Sequence, residues 1–142
     1  NSVKSNGRLT LVCWANRSDN DWIEVSSKAA SQFLDLPAKS KPREPGPLAF
    51  EDSDYLKTIL ENVGWSNITF THFSEKHSVG KTTKEAANFL SSMGPMSIPF
   101  KNAEETVRDK VINSLEQKFS EFKGPNGVEL NFSTWIVSAS KL

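Results

Sequence analysis

Arg8-Leu9-Thr10-Leu11-Val12-Cys13-Trp14 follows an Asn6-Gly7 turn and is apolar at both parities, with Leu9, Leu11 and Cys13 alternating with Val12 and Trp14. A strand wetted on one side carries polar residues at every second position. One that is apolar on both sides belongs in a sheet covered on two faces, as in α/β folds. This segment constrains the chain most, because a purely helical bundle has no place for it. The 142 residues suffice for one core, so a single domain over 1–142 is expected.

Helical and extended patterns alternate downstream. Asp21 to Leu36 carries a stripe of Trp22, Val25, Ala29, Phe33 and Leu36, stopped by Pro37. Residues 37–47 hold four of the seven prolines together with Lys39, Lys41 and Arg43, the composition of an extended, solvated connector. A helix follows, capped by Ser53 or Asp52, with Leu56, Ile59, Leu60 and Val63 inward and Gly64 as its left-handed stop. Asn67 to Phe73 alternates like a half-buried strand, and Glu75 to Val79 reads as a polar loop holding His77.

The next helix begins near Thr83, with Ala86, Phe89, Leu90 and Met93 inward and Gly94-Pro95 as its end. Another has Asn102 as its cap, Glu105 in the capping-box position, and Val107, Val111, Leu115, Phe119 and Phe122 as its stripe. Gly124-Pro125-Asn126-Gly127 turns the chain into a last strand, Val128 to Ala139. The expectation is an α/β order, α+β by content, with three strands and about four helices.

Composition excludes several functions. Lys plus Arg equals Asp plus Glu at 17 each, so nothing electrostatic draws the chain to nucleic acid or an anionic membrane. The single Cys13 excludes an intrachain disulfide and fits a reducing compartment. No apolar run approaches the roughly 18 residues of a membrane span. The polar opening Asn1 to Asn6 is unlike a signal peptide, so a cytoplasmic chain is expected.

Motifs for self-contained catalysis are missing. Gly80-Lys81-Thr82-Thr83 has the ending of a phosphate-binding loop, but Glu75 stands where that loop needs its first glycine. A Thr-capped helix start is the simpler reading. His72 and His77 lack the neighbouring Cys or carboxylates of a metal site, so no metal is expected. Cys13 reads as a buried, inert thiol. His77 could act as a general base, but a solvated surface histidine is the favoured reading. Trp14 lies at the carboxyl end of the first strand and Trp22 at the following helix start, the end where open α/β sheets gather ligands, although core packing is the favoured role for each.

The order of these segments resembles one family. Asn6 to Trp14 resembles the turn and fifth strand of class I S-adenosylmethionine-dependent methyltransferases, and Cys13, Trp14, Asn20 and Trp22 resemble the loop after it in one branch. Gly46-Pro47-Leu48-Ala49-Phe50, followed by Asp52-Ser53-Asp54-Tyr55-Leu56, is similar to that branch's entry to the next helix. Ile59-Leu60-Glu61-Asn62-Val63-Gly64-Trp65-Ser66-Asn67-Ile68 resembles the family's approach to its sixth strand, and Ser133 to Ala139 its seventh.

The resemblance implies part of a Rossmann-like fold: a three-stranded mixed sheet whose last strand lies between the other two and is antiparallel to both. Residues 83–122 would be a helical insertion capping the substrate pocket. It also implies that this is the C-terminal, substrate-side portion of a small-molecule methyltransferase, inactive alone, with Trp14, Asn20, Trp22, Phe50 and His77 as substrate-side candidates. The family's cofactor-binding glycine turn and ribose-binding acid have no counterpart here. S-adenosylmethionine is therefore expected in the complete enzyme and not on this chain alone. A non-catalytic binding or dimerisation module of the same fold is the alternative, and a homodimer through the first strand or its flanking surface is expected.

Overall fold

A computed structural model describes residues 4–141; the first three residues of the polar opening, and Leu142, lie outside the described residues. Among the described residues the fold is mixed α and β, with five α-helices and one four-stranded antiparallel sheet. The strands are β1 (Arg8–Trp14), β2 (Trp65–Gly80), the two-residue β3 (Lys123–Gly124) and β4 (Gly127–Lys141). Their order is β1-β4-β2, with β3 also paired to β4, so the last strand lies between the first two long ones as expected. Contacts divide the chain into two compact units, Asn1–Asp19 with Ser40–Ser74 and Ser133–Leu142, and Asn20–Lys39 with Glu75–Phe132. β2 and β4 each contribute residues to both.

In the first unit, β1 pairs with β4 in a register that sets Leu9 opposite Ala139, Leu11 opposite Val137 and Cys13 opposite Trp135. The helix α2 (Ser53–Asn62) is capped by Asp52, whose carboxylate accepts from the backbone N–H of Asp54 and Tyr55. Its Leu56 and Leu60 pack with Val137, and Leu9, Leu11, Cys13, Trp65, Ile68, Phe70 and Trp135 close around them. Each fully buried aliphatic side chain of this kind contributes about 1.5–3 kcal/mol. The expected cover on both faces of β1 is corrected: only the odd-numbered side joins this cluster, while Arg8 and Thr10 are exposed and Val12 is 64% exposed. Apolar parity reports what a strand could bury, not what covers it.

The second unit is helical: α1 (Asp21–Ala30), α3 (Thr83–Ser91), α4 (Ser97–Asn102) and α5 (Glu105–Phe119). α5 packs against α1 and α3, burying Val111, Leu115 and Phe119 completely. Ala86, Ala87 and Leu90 are buried on α3, and Val128 and Leu130 on β4. Thr82 caps α3 by accepting from Glu85 N at 3.1 Å, and the Glu85 carboxylate accepts from Lys81 N at 2.8 Å. The Gly-Lys-Thr-Thr segment is thus a capped helix start.

Several expectations are overturned. The sheet has four strands rather than three, because Pro125-Asn126 closes a tight turn that pairs Lys123 with Val128 and Gly124 with Gly127. Among the described residues there are five α-helices where about four were expected. Gly94 to Met96 starts a new turn that runs into α4, where Pro99 lies in the first turn and its missing N–H has no helical partner to lose. Asn102 therefore ends α4 instead of capping α5, whose cap position is Glu104 with no side-chain bond.

α1 stops at Ala30, not Leu36, as the Ser31 hydroxyl bonds back to the Lys28 carbonyl and competes with the helix ladder. Phe33 and Phe89, placed inward by periodicity, are 41% and 49% exposed. β2 extends to Gly80, so Glu75 to Val79 is strand rather than loop and His77 belongs to it. From Thr71 to Ser78 every residue of β2 is exposed, so no alternation marks this stretch as a strand.

Candidate functional site

Side chains converge in the first unit beyond the carboxyl end of β1. Ala15 N donates to the Ser133 carbonyl at 3.0 Å, fixing the chain as it leaves the strand. Arg17 N donates to the Glu51 carboxylate at 2.9 Å, and Trp135 Nε1 donates to the Glu51 carbonyl at 3.0 Å. Glu51 therefore ties the segment that precedes α2 to the turn after β1 and to β4. Phe50, beside it, is 39% exposed, and its carbonyl accepts from Cys13 Sγ at 3.8 Å. Cys13 is half-buried rather than buried as expected, and that burial raises its pKa and favours the neutral thiol. Arg43 reaches the Asp52 carboxylate at 3.3 Å and lies over the Tyr55 ring at 4.6 Å, joining the proline-rich connector to the α2 entry.

Sequence reasoning weighed His72 only as a metal ligand. Its Nε2 lies 2.6 Å from Oγ of the fully buried Ser133, and its ring tilts against Trp135 with centroids 4.9 Å apart. The signal was available, since Ile68, Phe70 and His72 share one parity of β2, and the first two pack on the core. One nitrogen and one ring face are thereby fixed, so the imidazole is oriented rather than free to rotate.

The second unit brings together three of the sequence-predicted residues. Trp22, 5% exposed, donates its Nε1 to Asn20 Oδ1 at 3.0 Å, and Asn20 is wholly buried. The Trp22 ring stacks on Phe132 at 6.3 Å and 11°, and His77 meets the edge of Phe132 at 5.7 Å and 80°. Phe132 is the residue that sequence reading passed over. Buried positions on β4 move from Val128 and Leu130 to Ser133, Val137 and Ala139, a change of parity that uniform alternation does not anticipate. The Asp21 carboxylate accepts from Asn131 N at 2.9 Å, so α1 begins against this same segment. Trp14 and Phe50 belong to the first unit, and Asn20, Trp22 and His77 to the second.

Two grooves open on the second unit. One, of about 600 Å³, runs between α1 and α5 past Val25, Lys28, Gln32, Gln117 and Phe122. The other, of about 370 Å³, is more apolar and lies among Leu36, Pro37, Pro95, Ile98 and Pro99. Among the described residues no three His, Cys, Asp or Glu side chains gather to hold a metal, and no helix is long and apolar enough to cross a membrane. Comparison with protein-family models and with curated proteins finds no match.

Proposed function

We propose that these residues form the substrate-side portion of an S-adenosylmethionine-dependent small-molecule methyltransferase with a partial Rossmann-like sheet. The observation that carries the reading is the strand order β1-β4-β2 with an antiparallel last strand, the arrangement that the resemblance of β1, the α2 entry and the approach to β2 implied. Asn20, Trp22 and His77, gathered about Phe132 in the second unit, are the side chains for orienting an acceptor, and Trp14 and Phe50 are separate candidates on the first unit. Their role is to restrict its approach, since positioning is the main contribution a protein makes to such a displacement. The helices of residues 83–122 act as the lid that excludes water.

The residues of this chain do not fit the cofactor. β1 runs into Ala15-Asn16-Arg17 without a glycine, and none of the seven glycines stands two residues from another. In the cell the chain is cytoplasmic, with a small molecule rather than nucleic acid or membrane as its ligand. It associates as a homodimer through β1 or the surface beside it. The groove between α1 and α5 favours a second reading, a binding module that holds a small molecule without methyl transfer.

The test is to express the chain together with the coding sequence immediately upstream and titrate the longer protein with S-adenosylmethionine by calorimetry. The expected result is saturable binding, with a strand, glycine turn and helix encoded upstream. An upstream frame without that segment, or a longer protein that does not bind, overturns the methyltransferase reading and leaves the binding module.

A further inference from the structure

The chain contains two Asn-Gly pairs, Asn6-Gly7 and Asn126-Gly127. In such a pair the glycine nitrogen can reach the asparagine Cγ, because glycine has no Cβ to stand in the way. The reaction requires the peptide group between the two residues to turn, so the fold around each pair decides its fate.

Asn126-Gly127 is held firmly within the second unit. The Asn126 carboxamide donates to Glu129 Oε1 at 3.0 Å, and its carbonyl accepts from Ser78 Oγ at 2.8 Å. Gly127 pairs with Gly124 and packs so closely that an added Cβ would collide with the Gly80 carbonyl oxygen. Turning this peptide would break the Ser78 bond and the pairing of β3 with β4. Asn6-Gly7 is held by less. Asn6 is exposed, and its carboxamide has no hydrogen bond among the described residues. The peptide group joining it to Gly7 makes one bond, from Gly7 N to the Lys4 carbonyl at 3.0 Å. Asn6 also has φ 64°, the left-handed conformation that an L residue leaves at little cost.

We propose that Asn6 is a site of spontaneous deamidation and that the fold protects Asn126 from the same reaction. Gly7 N gives up its proton to solvent and bonds to Cγ of Asn6, and the side-chain nitrogen leaves as ammonia. Water then opens the cyclic imide. Attack at Cγ yields aspartate, and attack at the backbone carbonyl carbon yields isoaspartate. No oxidant or reductant takes part. Either product adds one negative charge to a chain whose formal net charge is zero. Isoaspartate also puts the Cβ methylene into the main chain. It does so between two ladder contacts, Asn6 N to the Lys141 carbonyl at 2.8 Å and Lys141 N to the Gly7 carbonyl at 2.9 Å. The inference is independent of methyl transfer.

The 142-residue chain, incubated in neutral and in mildly alkaline buffer, should exchange NH2 for OH at position 6. Peptide mass mapping reads that change, and chromatography separates aspartate from isoaspartate. Conversion should be faster at the higher pH, since the attacking nitrogen must be deprotonated, while Asn126 stays intact over the same period. Gly7 does not have positive φ, so Gly7→Ala leaves the backbone unstrained and places a methyl beside the attacking nitrogen. That variant should convert severalfold more slowly. In urea, where the fold no longer differs between the pairs, position 126 should convert as fast as position 6. An intact Asn6, or equal conversion at both positions in the folded chain, overturns the proposal. So does a rate that Gly7→Ala leaves unchanged, or an Asn126 that stays intact in urea.

Discussion

Asn20 accepts from the Trp22 indole in the interior of the second unit. Both side chains are buried and the Nε1–Oδ1 bond is 3.0 Å long. Asn20→Ala removes this buried acceptor, a loss of about 1–3 kcal/mol in urea denaturation. Asp52 works at the surface, and its effect depends on charge. The backbone N–H of Tyr55 is the main reason its carboxyl titrates below the usual value, with the Arg43 side chain and the Asp54 N–H adding to it. A carboxyl depressed on folding stabilises the fold above its unfolded pKa, about 3.9, and loses that contribution as pH falls through the folded value. Asp52→Ala should therefore lower the urea midpoint at pH 7, and the gap from the parent should narrow below about pH 4. An equal gap at both pH values would assign the effect to packing instead of the ionised cap.

Within helices, burial separates residues that periodicity treats alike. Leu115 on α5 is fully buried and Phe89 on α3 is 49% exposed. Leu115→Ala should cost about 2–5 kcal/mol, whereas Phe89→Ala should stay within about 0.5 kcal/mol, both read from urea midpoints. At the β3–β4 turn, Gly127 has φ +109° and a Cβ there would collide with the Gly80 carbonyl oxygen. Gly127→Ala should cost about 1–3 kcal/mol by the same measurement. Helices with strong stripes and explicit stops were legible in the sequence: α2 with Asp52 and Gly64, and α5 with Val111, Leu115 and Phe119. α4 was not, because a six-residue helix containing Pro99 has no repeat to read. The far half of β2 was hidden because its pairing lies in the backbone while its side chains stay in water. For the candidate site, Asn20 and Trp22 were visible as a pair near one helix start. Phe132 and Ser133 were not, since their roles depend on the parity change within β4.

For the chain as a whole, cofactor affinity separates a substrate-side portion from a self-sufficient enzyme. A dinucleotide-like ligand on an α/β sheet is held where a glycine turn lets backbone N–H groups reach it and an acid receives the ribose hydroxyls. The residues that leave β1 do neither: Ala15 is buried with its N–H committed to Ser133, and Arg17 N is committed to Glu51. At the start of α1 the Trp22 indole and the Asp21 carboxylate are likewise engaged, with Asn20 and Asn131. The sites at which a loop could adapt to the ligand are thus already bonded within the fold. Calorimetric titration of the 142-residue chain should accordingly show no saturable binding of S-adenosylmethionine tighter than about 100 µM, or roughly 5.5 kcal/mol. Saturable binding below that value would mean that these residues build a donor site of a kind unrelated to the glycine turn. The methyl-transfer reading would then have to be rebuilt around it.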